Sequence, residues 1–148
     1  MTEDEISARE LRAACVHECA HALVVHLLGG YGIAHVWRNT QRAPGEKAWA
    51  GQCRMLGEPT APAHWRRLVG LAGLVGERMA ADEGHEAWEI EEYIQFALAN
   101  GEVSATDAEL MGEDWSEADV MQVVELLEAH WNELQMESRW LEEKASAE

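Results

Sequence analysis

Basic residues are scarce in this chain of 148 amino acids. Eleven Lys and Arg stand against 28 Asp and Glu, a formal charge of −17. Nucleic acids and anionic membranes are held mainly through Lys and Arg, and no basic stripe runs along the sequence, so composition argues against both as partners. Long apolar runs are missing too. The longest uncharged apolar stretches, 22–32 and 68–76, are too short to span a bilayer. The acidic start Met-Thr-Glu-Asp-Glu has no apolar core of a signal peptide. There are three cysteines (Cys15, Cys19, Cys53) and no Cys-x-x-Cys pair. An odd count with two members four apart on a helix is a poor disulfide framework, so reduced thiols and a cytoplasmic location are expected. Neither internal repeats nor low-complexity segments occur, apart from a polar tail over 144–148. Length predicts one domain over 1–148, with 1–6 and 144–148 as flexible ends.

What is present is His17-Glu18-Cys19-Ala20-His21, the pattern His-Glu-x-x-His. On a helix, residues i and i+4 share a face, so two imidazoles at that spacing can hold one metal ion. Glu18 lies about 100° further round, where it reaches the open side of such an ion rather than the ion itself. This is a zinc-peptidase arrangement: two His ligands, a general base and a third ligand from elsewhere. The bland alternative is a helix whose His residues are solvated or satisfied in a core. The flanking sequence, Ala13 to Leu28, is apolar nearly all round, which places the motif on a buried helix. Two His and a Glu are costly there unless paired, and a metal supplies the pairing. Cys19, between the two His, is turned away from their face.

The remaining elements follow from periodicity and punctuation. Ser7-Ala8-Arg9-Glu10 reads as a capping box opening the first helix, and Gly29-Gly30 ends it. Ile33–Trp37 and Ala48–Leu56 read as strands around a Pro44-Gly45 turn. Thr60 and Pro62 are placed to start a helix running to about Ala81. Its Gly70, Gly73 and Gly76 are costly in a helix unless they permit close packing. Asp82-Glu83-Gly84 ends that helix, and Trp88 to Ala99 forms a shorter one closed by Asn100-Gly101. Thr106-Asp107-Ala108-Glu109 reads as the capping box of a short helix, and Ser116-Glu117-Ala118-Asp119 as that of the last. Val120, Val124, Leu127, Trp131, Leu134, Ser138 and Leu141 then alternate four and three apart. This seam over 116–143 predicts core packing, with homo-oligomerisation through it as the alternative. The seven Trp are expected as core or rim anchors. The fold class is α+β: mainly α with a small β-hairpin, and the His-Glu-x-x-His helix central and buried.

Three ligand positions need three residues, and the sequence alone leaves the third open. A metzincin would carry Gly at position 24 and His at position 27; Val24 and Leu27 exclude that class. His35 is a weak candidate, His26 points elsewhere, and His64, His85 and His130 fit solvated roles. A gluzincin-type Glu from a later helix would be Glu77.

Residues Ala14 to Val24 resemble the peptidase domain of the FtsH-type ATP-dependent zinc proteases, whose motif is His-Glu-x-Gly-His-Ala followed by apolar residues. Leu71 to Arg78 resembles that family's Leu-Gly-Gly-Arg-x-Ala-Glu-Glu helix. Val103 to Leu110 resembles its Gly-Ala-Ser-Asn-Asp-Leu segment, and the resemblance spans about residues 10 to 130. It implies a zincin-like helical domain in which Zn²⁺ is bound by His17, His21 and Asp107, with Glu18 as general base. It also implies hydrolysis of peptide or unfolded-protein substrates. Asp107 suits the part, because the first position of a capped short helix holds its carboxylate rigidly. Ala20 replaces the family's Gly, and no Gly-x-x-x-x-Gly-Lys-[Ser/Thr] is present. The expected activity is therefore that of an ATP-independent zinc metalloendopeptidase. A catalytically silent metal-binding or regulatory module that keeps the fold is the alternative.

Overall fold

The computed structural model describes residues 1–81 and 86–148. Helix α1 (Glu3–Leu27) is followed by strands β1 (Tyr31–Arg38) and β2 (Trp49–Gly57). Five helices complete the chain: α2 (Trp65–Ala80), α3 (Ala87–Ala99), α4 (Ala105–Met111), α5 (Glu117–Ala129) and α6 (Trp131–Ala147). The protein is thus mainly helical with one small sheet, the α+β class expected.

Helix α1 begins one turn earlier than the Ser7 signature suggests. Thr2 is the N-cap, its hydroxyl accepting from the Glu5 amide at 3.1 Å. Glu3, Asp4 and Glu5 fill the first turn, where the helix dipole favours negative charge. Thr2-x-x-Glu5 is an equally good cap pattern, and Ser7 is free for another task. Its hydroxyl accepts from the Trp49 indole at 3.0 Å, while Glu10 accepts from the Ala48 amide at 2.6 Å. Both bonds tie β2 to α1. Gly29, at φ 95°, ends the helix as its sequence predicts.

Strands β1 and β2 pair antiparallel, with Ala34 opposite Cys53, Val36 opposite Gly51 and a register shift at Tyr31/Gly32. Their inner face lies on α1, and their outer face exposes Tyr31, Ile33 and Leu56. Helix α1 packs against α2, α5, α6 and both strands, so it runs through the interior. Cys15, Ala20, Val24 and Val25 on it are fully buried.

Helix α2 starts at Trp65, not near Thr60. His64 caps it without a side-chain bond, and Thr60 and Pro62 lie in the approach. The expected stop at Asp82-Glu83-Gly84 lies outside the described residues, as does His85. On α3, Ile90, Ile94 and Ala97 face the core, but Trp88 does not; it is 52% exposed. The Ser116–Asp119 capping box is present. The single last helix is instead two, broken at His130 (φ −125°, ψ 27°). Val120 and Leu127 on α5 and Leu134, Ser138 and Leu141 on α6 are all buried within the chain. Helix α6 runs through the polar tail to Ala147, anchored by buried Ala145. No helix among the described residues is long and apolar enough to cross a membrane.

Candidate metal centre

His17 and His21 stand one turn apart on the same face of α1, with ring centroids 4.8 Å apart and planes at 73°. Each ring is locked by its far nitrogen. His17 Nδ1–H donates to Glu77 Oε2 at 2.7 Å, and His21 Nδ1–H donates to the Val69 carbonyl at 2.6 Å. Only acceptors face those nitrogens, so each Nδ1 carries a proton, and each ring in its neutral form keeps its lone pair on Nε2.

Both lone pairs point to one place. The two Nε2 atoms are 3.1 Å apart, and Asp107 Oδ2 lies 2.9 Å from that of His17 and 3.3 Å from that of His21. Two lone pairs and a carboxylate converging without a donor between them repel, unless a proton or a cation sits among them. Tetrahedral zinc with ligands near 2.0–2.2 Å spaces those ligands by about 3.3 Å. The observed separations fit that coordination sphere closely, and an N, N, O set suits first-row divalent ions. His17, His21 and Asp107 thus form a group that could hold a metal ion.

Glycine spacing on α2 makes the convergence possible. A Cβ on Gly73 would run into the His17 imidazole. On Gly76 it would stand 2.8 Å from the Ala20 Cβ, and on Gly70 it would stand 2.6 Å from the Met111 amide of α4. The three glycines therefore seat, in turn, the metal-site ring, the α1 backbone and the helix that carries Asp107. This is the close packing their spacing predicts. Ala20, in place of the resembled family's Gly, fits because its partner is Gly76. Ser104 rather than Thr106 caps α4, its hydroxyl accepting from the Asp107 amide at 3.1 Å. Asp107 is thereby the third residue of the helix rather than its first. Ser104, two positions back, is the better cap because it leaves the Asp carboxylate free to turn inward.

Electrostatics follow from this crowding. Burial would lower the His17 pKa, but hydrogen bonds to Asp107 and Glu77 outweigh it and raise it to about 10 in the metal-free protein. Burial alone would raise the Asp107 carboxyl. Its hydrogen bonds with His17 and His21 hold it well below the usual carboxylate range. The Glu18 pKa is raised, chiefly by burial, against the opposing pull of His17 and His21.

Glu18 is 9% exposed and makes no hydrogen bond among the described residues. It lies over β2 at Gly51, where an added Cβ would meet its Oε2 at 2.7 Å. Gly51 therefore leaves the room that the carboxylate fills. Glu18, His17, His21 and Asp107 all line one cleft of about 350 Å³, walled on the far side by β2 through Trp49, Cys53 and Met55.

The other candidates fall elsewhere. His35 is exposed and packs on Trp37, and His26 donates to the Gly32 carbonyl at 3.1 Å beside Tyr31. His64 is bonded to Gln122, and His130 pairs with Glu133. Cys19 is buried on the opposite side of α1 and is not in the cluster. Glu77, the gluzincin-type alternative for third ligand, faces the other nitrogen of His17 and positions that ring. Sequence reasoning missed Ser104 and the Val69 carbonyl. The first had a signal, a Ser three residues before Asp107. The second, a backbone atom on another helix, had none.

No known family model matches this chain, and no curated protein is significantly similar to it.

Proposed function

We propose that the protein is a zinc-dependent metallopeptidase that hydrolyses peptide bonds, with His17, His21 and Asp107 as ligands and Glu18 as general base. The observation that carries this reading is the convergence of two Nε2 atoms and a carboxylate within coordination distance, beside an unbonded buried glutamate in the same cleft.

Bound there, Zn²⁺ supplies Lewis acidity, which acidifies water and polarises a carbonyl. The protein's own residues do the rest. Glu77 and the Val69 carbonyl hold the two imidazoles in the tautomer that keeps Nε2 available. Glu18 accepts the proton of the attacking water and returns it to the leaving amine. Its raised pKa suits that double task, because a carboxylate held closer to neutrality both takes and gives a proton more readily. Gly51 gives that side chain room, and the walls of the cleft shield it from bulk water. An extended peptide would lie along β2, whose outer edge pairs with no strand among the described residues, by strand addition.

The test is purified protein assayed for zinc and for cleavage of unstructured peptides. Glu18→Gln should retain zinc and lose activity by about 10²- to 10⁴-fold. Activity surviving that substitution removes the assigned role. Zinc retained with no turnover in the native protein leaves the alternative, a metal-binding module without catalysis.

A further inference from the structure

The metal-site cleft is not the only hollow among the described residues. A second cleft of about 730 Å³ lies between α1 and α6, on the far side of Glu77. Arg9 and Arg12 of α1 and Arg139 of α6 line it. None of these three guanidiniums makes an ion pair, hydrogen bond or ring contact among the described residues. In a chain with 28 acidic and 11 basic side chains, partners are abundant, and three unpaired arginines around one hollow are unexpected. Two carboxylates share the lining, Glu77 and Glu142. Glu77 Oε2 is already engaged by His17, so among the described lining residues Glu142 is the one carboxylate beside three arginines that is not bonded to a histidine. Val16, Leu134 and Trp131 supply an apolar wall. Arg12 and Arg139 also border an adjoining hollow of about 650 Å³, so they stand at the junction of the two. The metal-site cleft has the opposite balance: Glu10, Glu18, Glu77, Glu102 and Asp107 against Lys47.

We propose that the α1–α6 cleft is a binding site for a small organic carboxylate with an apolar body, its anionic head on Arg12 and Arg139 and its tail on Val16, Leu134 and Trp131. The volume lies within the range of small-molecule sites, which are mostly apolar with a few convergent polar groups. Arginine is suited to the head group because its planar fork matches a carboxylate with two parallel hydrogen bonds. The inference does not depend on the peptidase reading, since it uses a different cavity and no metal.

Titration calorimetry of the full chain with octanoate tests it, with acetate as a head group lacking a body and octyltrimethylammonium as a body carrying the wrong charge. Octanoate should bind at least about tenfold more tightly than either. Arg12→Gln with Arg139→Gln, on exposed positions where the fold is not at stake, should weaken octanoate by about tenfold or more. Asp107→Asn, which removes a metal ligand, should leave octanoate affinity unchanged. Equal binding of the cation, octanoate affinity untouched by the arginine pair, octanoate affinity lost with Asp107→Asn, or no octanoate binding at millimolar concentration would each overturn the proposal.

Discussion

Helix α1 buries two kinds of reactive group within about two turns, and it treats them in opposite ways. Toward α2 and α4 it presents His17 and His21, each with a fixed tautomer and each aimed at Asp107. Away from them it presents Cys15 and Cys19, 0% and 4% exposed. Burial pushes both thiols up to about 12, because no cation nearby offsets the loss of water around a thiolate. On the histidine side the same burial is overridden by hydrogen-bonded carboxylates. Burial alone therefore makes a side chain inert; burial with convergent partners prepares it for chemistry.

The contrast can be broken from either side, and the thiols give the largest effect. At pH 8 a rise from 9 to about 12 cuts the thiolate fraction about a thousandfold, and Cys53, also pushed up to about 12, shares the shift. Labelling by a thiol reagent should be slower in native than in unfolded protein by that order. Rapid reaction of all three in the folded state would refute the assignment. Next comes Asp107→Asn, which removes the charged member of the proposed ligand set. Zinc affinity, measured by competition with a chelator, should drop about a hundredfold or more, while the helical circular dichroism stays.

Glu77→Gln is expected to cost less, about 10- to 100-fold in zinc affinity, because it loosens the ring rather than removing a ligand. An unchanged affinity would show that the 2.7 Å bond does not position His17. Titration with pH sharpens the same point. In the metal-free fold, His17 holds its proton up to about pH 10, against an ordinary value of 6.5. That stabilisation is full below pH 6.5 and is lost as pH rises through about 10, so the metal-free protein should weaken over this window. Metal must displace the same proton, so zinc binding should release about one proton at pH 7.5, and apparent affinity should climb up to about tenfold per pH unit. A pH-independent affinity would contradict it. The smallest effect is steric. Gly73→Ala pushes a methyl into the His17 ring and should destabilise by about 1–3 kcal/mol, despite alanine's better helix propensity. A stabilised variant would mean that the ring can move aside.

Much of this was legible in the sequence because it is local. His17, Glu18 and His21 share a helix whose period places them, and the Pro44-Gly45 turn signals a hairpin between two strand-forming runs. Gly70, Gly73 and Gly76 announce a close approach by their cost. Local signals also misled where two of them competed. Thr2 and Ser7 both head a capping pattern, as do Ser104 and Thr106, and in each pair the earlier residue caps. The seam over 116–143 reads as one helix because side-chain periodicity is blind to a single backbone turn at His130.

By itself, then, the order of residues determined which side chains ride together on α1, where the chain must turn, and which helix faces need covering. All of that is set within a few residues by dihedral preference and period. Only the tertiary structure decided that Glu77 faces Nδ1 and Asp107 faces Nε2 of the same ring, that a mid-helix carbonyl at Val69 fixes His21, and that three arginines share a hollow. Those relations join residues 48 to 130 positions apart, and no local rule links them; only the packing of α2, α4 and α6 onto α1 brings them together.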